Sequence, residues 1–257
     1  MSLNFKGKVV IITGAGQGMG QKLALQFAKE GATLVLNDLK EEFCEETAIQ
    51  AIKFGIRVIK IGADVSCSGA VKEMFEQVKV EFGRIDVLVN NAGVLKPCNI
   101  LDLSEDTWDS QIAVNLKSVY LCSRQAAMIM KEQGGGVIAN ASSFSAVIPS
   151  IGMSAYSAAK AAVVNLTRTM AGEFAPYNIR VFGYIPGVIE TRLTRDMRER
   201  NLEGLVESIA LHRCGKPEEV ARIVVFLCSE AASYFTGGLI EISGGKYCVQ
   251  NAEAMWK

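Results

Sequence analysis

The sequence predicts an α/β fold: a doubly wound, seven-stranded parallel sheet with helices on both faces. Three observations predict it. Short runs rich in Val, Ile and Leu alternate with longer segments of helical period along the whole chain. Those runs are continuously apolar, the habit of parallel strands buried on both faces. No Pro/Ser-rich linker, composition break, repeat or low-complexity tract divides the 257 residues, so 1–257 reads as one domain, and a chain of this length buries a substantial core.

The first strand, "KVVIIT", runs into the turn "GAGQGMG" and then a helix whose buried face is set by Leu23 and Phe27, four apart. Gly14, Gly18 and Gly20, with Gln17 and Met19 between them, let the backbone turn tightly and approach a pyrophosphate. The helix that follows offers free N–H groups and a partial positive charge. The second strand, "ATLVLND", ends on Asp38, about 20 positions on, as the dinucleotide fingerprint of a Rossmann fold demands. A carboxylate there accepts both hydroxyls of the adenosine ribose and repels a 2′-phosphate. Its other reading is an N-cap for "LKEEFCEETA". No arginine stands ready for a phosphate: Leu39 follows the acid and Lys40 is the nearest cation. The expected cofactor is NAD, in preference to NADP.

The third run, "RVIKIGADV", puts Asp64 and Val65 where a carboxylate meets adenine's amino group and an apolar side chain covers the ring. The fourth, "IDVLVNNAG", supplies Asn91, Ala92 and Gly93 as a small-residue wall at the ribose, while Asn90 reads as a knit between strands. "GGVIANAS", "IRVFGYIPG" and "LIEISGG" complete the sheet. After the sixth run comes a polar segment, about 188–215, with Arg192, Arg195, Arg198 and Arg200 close together. Ligands of open α/β sheets bind beyond the carboxyl ends of the strands, so this segment reads as a substrate lid. Its arginines suit a carboxylate, a phosphate or a coenzyme A thioester; a plain solvated helix pair is the alternative.

"SAYSAAKAA" places Tyr156 and Lys160 one helical turn apart among small residues. A phenol of pKa about 10 is a poor base near neutrality. A neighbouring cation favours the phenolate, and small neighbours admit a cofactor and a substrate. The bland alternative, a Tyr and a Lys on an amphipathic helix, is the default for this spacing taken alone.

The motifs "TGAGQGMG", "NNAG", "VNL" with Asn115, "NASS", "YSAAK" and "PGVIET", in that order over about residues 5–245, resemble the short-chain dehydrogenase/reductase family. The resemblance implies an NAD(P)-dependent oxidoreductase, EC 1.1.1.-, of either the secondary-alcohol dehydrogenase or the 3-oxoacyl-ACP reductase kind. It implies that Tyr156 exchanges the proton, that Lys160 also grips the nicotinamide ribose, and that Asn115 holds a water completing the relay. It selects Ser143, thirteen positions before the tyrosine, to hydrogen-bond the substrate oxygen, with Ser142 and Ser145 near enough to keep that choice open. Pro186 and Gly187 would shape the nicotinamide-side turn, the Val188 backbone bind the carboxamide, and Thr191 its side or the phosphate. Departures from the family pattern fall at Phe182 and Ser243. Ala127 and Gly172 stand where carrier-protein reductases present arginines, which tilts the expectation toward a secondary-alcohol dehydrogenase. The family also implies a homotetramer, built through the helices of "VNLKSVYLCSRQAAMIM" and "YSAAKAAVVNLTRTMAGEF" and the last strand.

Other classes find little support. Lys+Arg and Asp+Glu both count 27, which gives no net basic face for nucleic acid or an anionic membrane. Seven scattered cysteines without a C-x-x-C pair read as buried thiols of a reducing compartment, not as disulfides or metal ligands. The single histidine, His212, builds no metal cluster, and no G-x-S-x-G elbow suggests a serine hydrolase. Without a signal-peptide pattern or an 18-residue apolar span, a cytoplasmic protein acting on a small molecule is expected. A dinucleotide sensor without turnover is the remaining alternative; such relatives typically lose the tyrosine or the lysine. The tail "KYCVQNAEAMWK" either reaches a neighbouring subunit or frays.

Overall fold

The computed structural model describes residues 3–246, 248, 249 and 251–256. Seven parallel strands form one sheet: β1 (Val9–Thr13), β2 (Thr33–Asp38), β3 (Val58–Gly62), β4 (Val87–Asn90), β5 (Gly136–Ala141), β6 (Ile179–Pro186) and β7 (Leu239–Ile242). Their order is β3-β2-β1-β4-β5-β6-β7. Each of the seven apolar runs is a strand, and the central ones are buried on both faces, as their lack of alternation requires.

The helices are α1 (Gly18–Lys29), α2 (Glu45–Ile52), α3 (Ser68–Phe82), α4 (Glu105–Ile112), α5 (Ser118–Gln133), α6 (Ser154–Phe174), α7 (Arg195–Arg200), α8 (Leu202–Glu207) and α9 (Pro217–Cys228). The sheet divides the core in two. On one face Leu23 and Phe27 of α1 meet Val220 and Val224 of α9 and the inward residues Val10, Ile12, Leu34 and Leu36. On the other, α3, α5 and α6 pack Val71, Phe75, Cys122, Met130 and Val163 against Val9, Ile11, Leu88 and Ile138. Phe182 is fully buried, its ring 5.7 Å from that of Phe235, so this departure from the family pattern is a packing choice. Ser243 accepts the Lys246 N–H at 3.1 Å and shapes the turn after β7.

Strand order reverses about β1: β2 and β3 lie to one side of it and β4 to β7 to the other. The connections leaving the carboxyl ends of β1 and β4 therefore run in opposite directions and open a crevice there, the switch point where ligands bind. Between β6 and α9 the polar segment forms a short turn and the helices α7 and α8, which contribute no buried residue. It leaves and rejoins the sheet at a narrow neck, where Gly215 N–H donates to Val188 O and Glu190 N–H to Gly215 O, both at 2.9 Å.

All seven cysteines are free, and the described residues contain no cluster of metal-ligating side chains. No helix among the described residues is long and apolar enough to cross a membrane. Of the tail's described residues, Trp256 folds back, its Nε1–H donating to Ala210 O at 3.1 Å.

Candidate active site

The crevice begins with the glycine turn. Gly14 has φ of 63°, and a Cβ there would come 3.0 Å from Ala92 Cα; one on Gly20 would collide with the Gly14 carbonyl. Only glycine suits either place. Gln17 is extended and puts no side-chain cap on α1, whose first turn carries no acid, so the amides there stay available to an anion. Met19 packs into the core beneath. Gly18 lies against the polar segment after β6: a Cβ on it would sit 3.5 Å from Thr191 Cγ2. Thr191 and the open helix end thus face one another.

Asp38 closes the β2 side. Its Oδ2 accepts the Gly16 N–H at 3.0 Å and its Oδ1 the Leu39 N–H at 2.9 Å, which fixes the carboxylate's orientation beside the turn. It caps no helix: the short turn at Glu41–Cys44 begins from Lys40. Lys40 pairs with Glu42 at 3.6 Å and lies 5.8 Å from the Phe43 ring centroid. Asp64 is held by its own turn, accepting Ser66 N–H at 2.9 Å and Ser66 Oγ–H at 2.7 Å. Burial works to raise its pKa, but those bonds and the Cys67 thiol hold it below the usual carboxylate range. Val65 is buried into the α3-side core.

The β4 end is braced by residues that motif reading passed over. Thr13 Oγ1 accepts the N–H groups of Asn91 and Ala92, each at 3.0 Å. The Thr47 hydroxyl donates to Ala15 O at 2.9 Å. Asn91 donates to the carbonyls of Thr13 and Gly14, while its buried Oδ1 has no partner among the described residues. Asn90 is a knit, donating to Ser123 Oγ at 2.9 Å and Asn140 Oδ1 at 2.8 Å. A glycine cradle, an open helix end, an oriented carboxylate and an orphan amide oxygen together fit the diphosphate and ribose of a dinucleotide.

The residues expected to handle the proton come from α6 and the turn after β5. Tyr156 and Lys160 sit on one face of α6, both buried. Lys160 Nζ donates to Ala141 O at 2.9 Å and lies 5.7 Å from the Tyr156 ring centroid. A Cβ on Gly93 would come 3.7 Å from that ammonium, which places the β4 turn beside it. The Ser143 side chain lies beside the Tyr156 hydroxyl and draws its pKa down. Ser142 is otherwise engaged, its Oγ–H donating to Lys160 O at 2.9 Å, and the Ser145 backbone N–H donates to Ser143 Oγ at 3.2 Å. Of the three, Ser143 meets the phenol.

Two features bear on the expected relay. Burial pushes the Tyr156 pKa up, and the Ser143 side chain only partly opposes it. The Lys160 ammonium points to the Ala141 carbonyl, and a buried phenolate would lose its hydration. The Asn115 side chain is engaged with the protein itself. It lies in a π-turn, Ala113–Lys117, and donates to Val94 O at 2.8 Å and Gln111 O at 2.9 Å while accepting the Val94 N–H at 3.1 Å. It fastens the 94 loop behind Gly93; such local π-turns are frequent at functional sites.

Burial brings Lys160 down to about 8 from 10.5. The folded state then binds fewer protons than the unfolded chain between those values, so its penalty is complete below pH 8 and fades as pH rises to 10.5. Lys160→Met should therefore raise stability at pH 7 by about 1–2 kcal/mol, the desolvation relieved less the lost bond to Ala141. The gain should shrink toward pH 10.5. Thermal melts at both values check this; an unchanged or lower Tm at pH 7 contradicts it.

The β6 end completes the rim. Gly187 N–H donates to Ile242 O at 3.0 Å, and a Cβ there would lie 2.7 Å from Ser243 Cα. Pro186 ends the strand, and Val188 is buried behind the neck. Arg198 donates to Thr191 O at 3.3 Å and Thr194 Oγ1 at 3.4 Å, bracing the turn that carries Thr191. Arg192, Arg195 and Arg200 stay exposed.

A family model described as Enoyl-(Acyl carrier protein) reductase matches residues 14–246. A 3-oxoacyl-[acyl-carrier-protein] reductase FabG from Thermotoga maritima is 40% identical over 243 residues, covering 95% of this chain and 99% of the relative. A meso-2,3-butanediol dehydrogenase from Serratia marcescens is 38% identical over 243 residues, covering 95% and 96%. The solved structure of a short-chain type dehydrogenase/reductase from Mycobacterium marinum superposes with a TM-score of 0.92 at 35% identity, over 96% of this chain and 98% of that one.

Proposed function

Because the chain belongs to the short-chain dehydrogenase/reductase family, we propose that it is an NAD(H)-dependent oxidoreductase interconverting a secondary alcohol and its ketone. The observation that carries this reading is the buried pair Tyr156 and Lys160 on one face of α6, with Ser143 beside the phenol and the Gly93 turn beside the ammonium.

Gly14, Gly18, Gly20 and Thr191 would hold the diphosphate, Asp38 the adenosine ribose, and Lys160 with the Gly93 turn the second ribose. When bound, the nicotinamide ring gives or accepts the hydride. Tyr156 gives its proton to the carbonyl oxygen in reduction and takes it back in oxidation. The Ser143 hydroxyl donates to the same oxygen as negative charge grows on it. Lys160, its ammonium on Ala141 O, fixes the second ribose beside the phenol. The segment 188–215 acts as the lid, its neck at Val188 and Gly215 serving as hinge.

The test is NADH absorbance with a panel of secondary alcohols and ketones, meso-2,3-butanediol and acetoacetyl-CoA included, comparing wild type with Tyr156→Phe. A second reading, 3-oxoacyl-thioester reduction, draws support from the FabG relative. Against it, Ala127 is buried and Gly172 bears no side chain, so neither offers a cation to an acidic carrier. Preference for acetoacetyl-CoA over the diol would reverse the choice.

A homotetramer through α5, α6 and β7 accounts for Tyr120 and Met128, half exposed on α5. Light scattering should return four copies; a monomer would remove the assignment.

A further inference from the structure

A small apolar cluster stands apart from the two main cores: Val188, Ile209 and Cys214, with Phe144, Leu205 and Val206 against it. It joins three pieces of the crevice. Phe144 follows Ser143, Val188 belongs to the neck, and the others come from the lid and its root.

Lys246 closes this cluster. It follows the Gly-Gly pair after β7 and is 4% exposed, unusual for a lysine. Its Nζ donates to Ser208 Oγ at 2.6 Å and lies 5.3 Å from the Phe144 ring centroid. Its backbone bridges antiparallel to Ile209, and one step away Leu211 N–H donates to Gly244 O at 3.0 Å. Trp256 adds a second strap, stacking on His212 with ring centroids 5.1 Å apart, where His212 holds φ of 50°. The chain beyond β7 therefore wraps the stretch Ser208–His212 where the lid returns to the sheet.

A buried ammonium costs free energy unless its surroundings compensate it. Here a lid hydroxyl and an aromatic face both help to do so. Moving the lid root away from Phe144 breaks one contact or the other.

We infer that Lys246 is a positioning residue of the substrate cleft, coupling the lid root at Ser208 to Phe144 and so setting the wall beside Ser143. This rests on the dehydrogenase reading only for its kinetic consequence; the coupling itself is structural.

Hydrogen–deuterium exchange of the full chain, without substrate, tests the coupling. Lys246→Met should speed exchange about 5–10-fold in both 202–212 and 143–148, and Ser208→Ala should do the same. Lys246→Arg should restore most of the protection. A change confined to one segment, or none, overturns the inference, and if Lys246→Met does not fold, Ser208→Ala decides. With meso-2,3-butanediol and acetoacetyl-CoA as probes, KM should rise about 5–10-fold with kcat within about twofold. A fall in kcat at constant KM overturns the positioning role. Because exchange needs no turnover, it stands or falls separately from the catalytic reading.

Discussion

Replacing Tyr156 by phenylalanine should lower turnover about 10³–10⁴-fold, the upper range of what a positioned general acid contributes. NADH affinity, followed by fluorescence, should stay within about threefold, because the lost hydroxyl faces Ser143 and not the glycine cradle. The pH profile adds a check whose sign follows from burial. Burial raises the phenol pKa, so the protonated form that reduction needs persists through neutral pH and beyond. Ketone reduction should be level there and fall only as the phenol ionises. Alcohol oxidation needs the phenolate and should climb with pH over the same range. Residual turnover in Tyr156→Phe should lose that climb. Wild-type rates in the variant, or an oxidation rate falling across neutral pH, would contradict the assignment.

The second large effect concerns the coenzyme. Wild type should use NADH over NADPH about 10³-fold more efficiently in kcat/KM, and Asp38→Ser with Leu39→Arg should invert the preference. Two backbone N–H groups hold the Asp38 carboxylate where it cannot swing away from a 2′-phosphate. A pair of like charges 4 Å apart repels by about 4 kcal/mol at an effective dielectric of 20, which corresponds to roughly that ratio. Lys40 does not offset it, being paired with Glu42. Steady-state kinetics with both coenzymes decide the matter. Equal efficiencies in the wild type would sink the role given to Asp38.

Much of this architecture was legible from local pattern. A parallel strand buried on both faces must be apolar throughout, so "VVII" and "VLVN" could be read without partners. Tyr156 and Lys160 share a face because the helical period brings fourth neighbours together. What local pattern could not reach depended on distant chain. Ser143 stood apart from Ser142 and Ser145 only once the turn aimed each hydroxyl. Thr13 and Thr47 act on loops 78 and 32 positions away, and no nearby residue signals such bonds. The direction of the Tyr156 shift follows burial and the heading of the Lys160 ammonium, both set by packing. Lys246 was invisible for the same reason. Its meaning lies in Ser208 and Phe144.

The neck at Val188, Glu190 and Gly215 carries a consequence for how such a chain diversifies. Residues 191–207 leave the sheet at this clasp and are held again where 208–212 meet the chain after β7, and the helices α7 and α8 between bury no residue. Loop-closure entropy grows only slowly with length, about 0.6 kcal/mol per doubling. Insertions, deletions and rewriting of residues 191–207 therefore leave the sheet and its crevice standing, and new specificities can be tried as interchangeable roofs over one foundation.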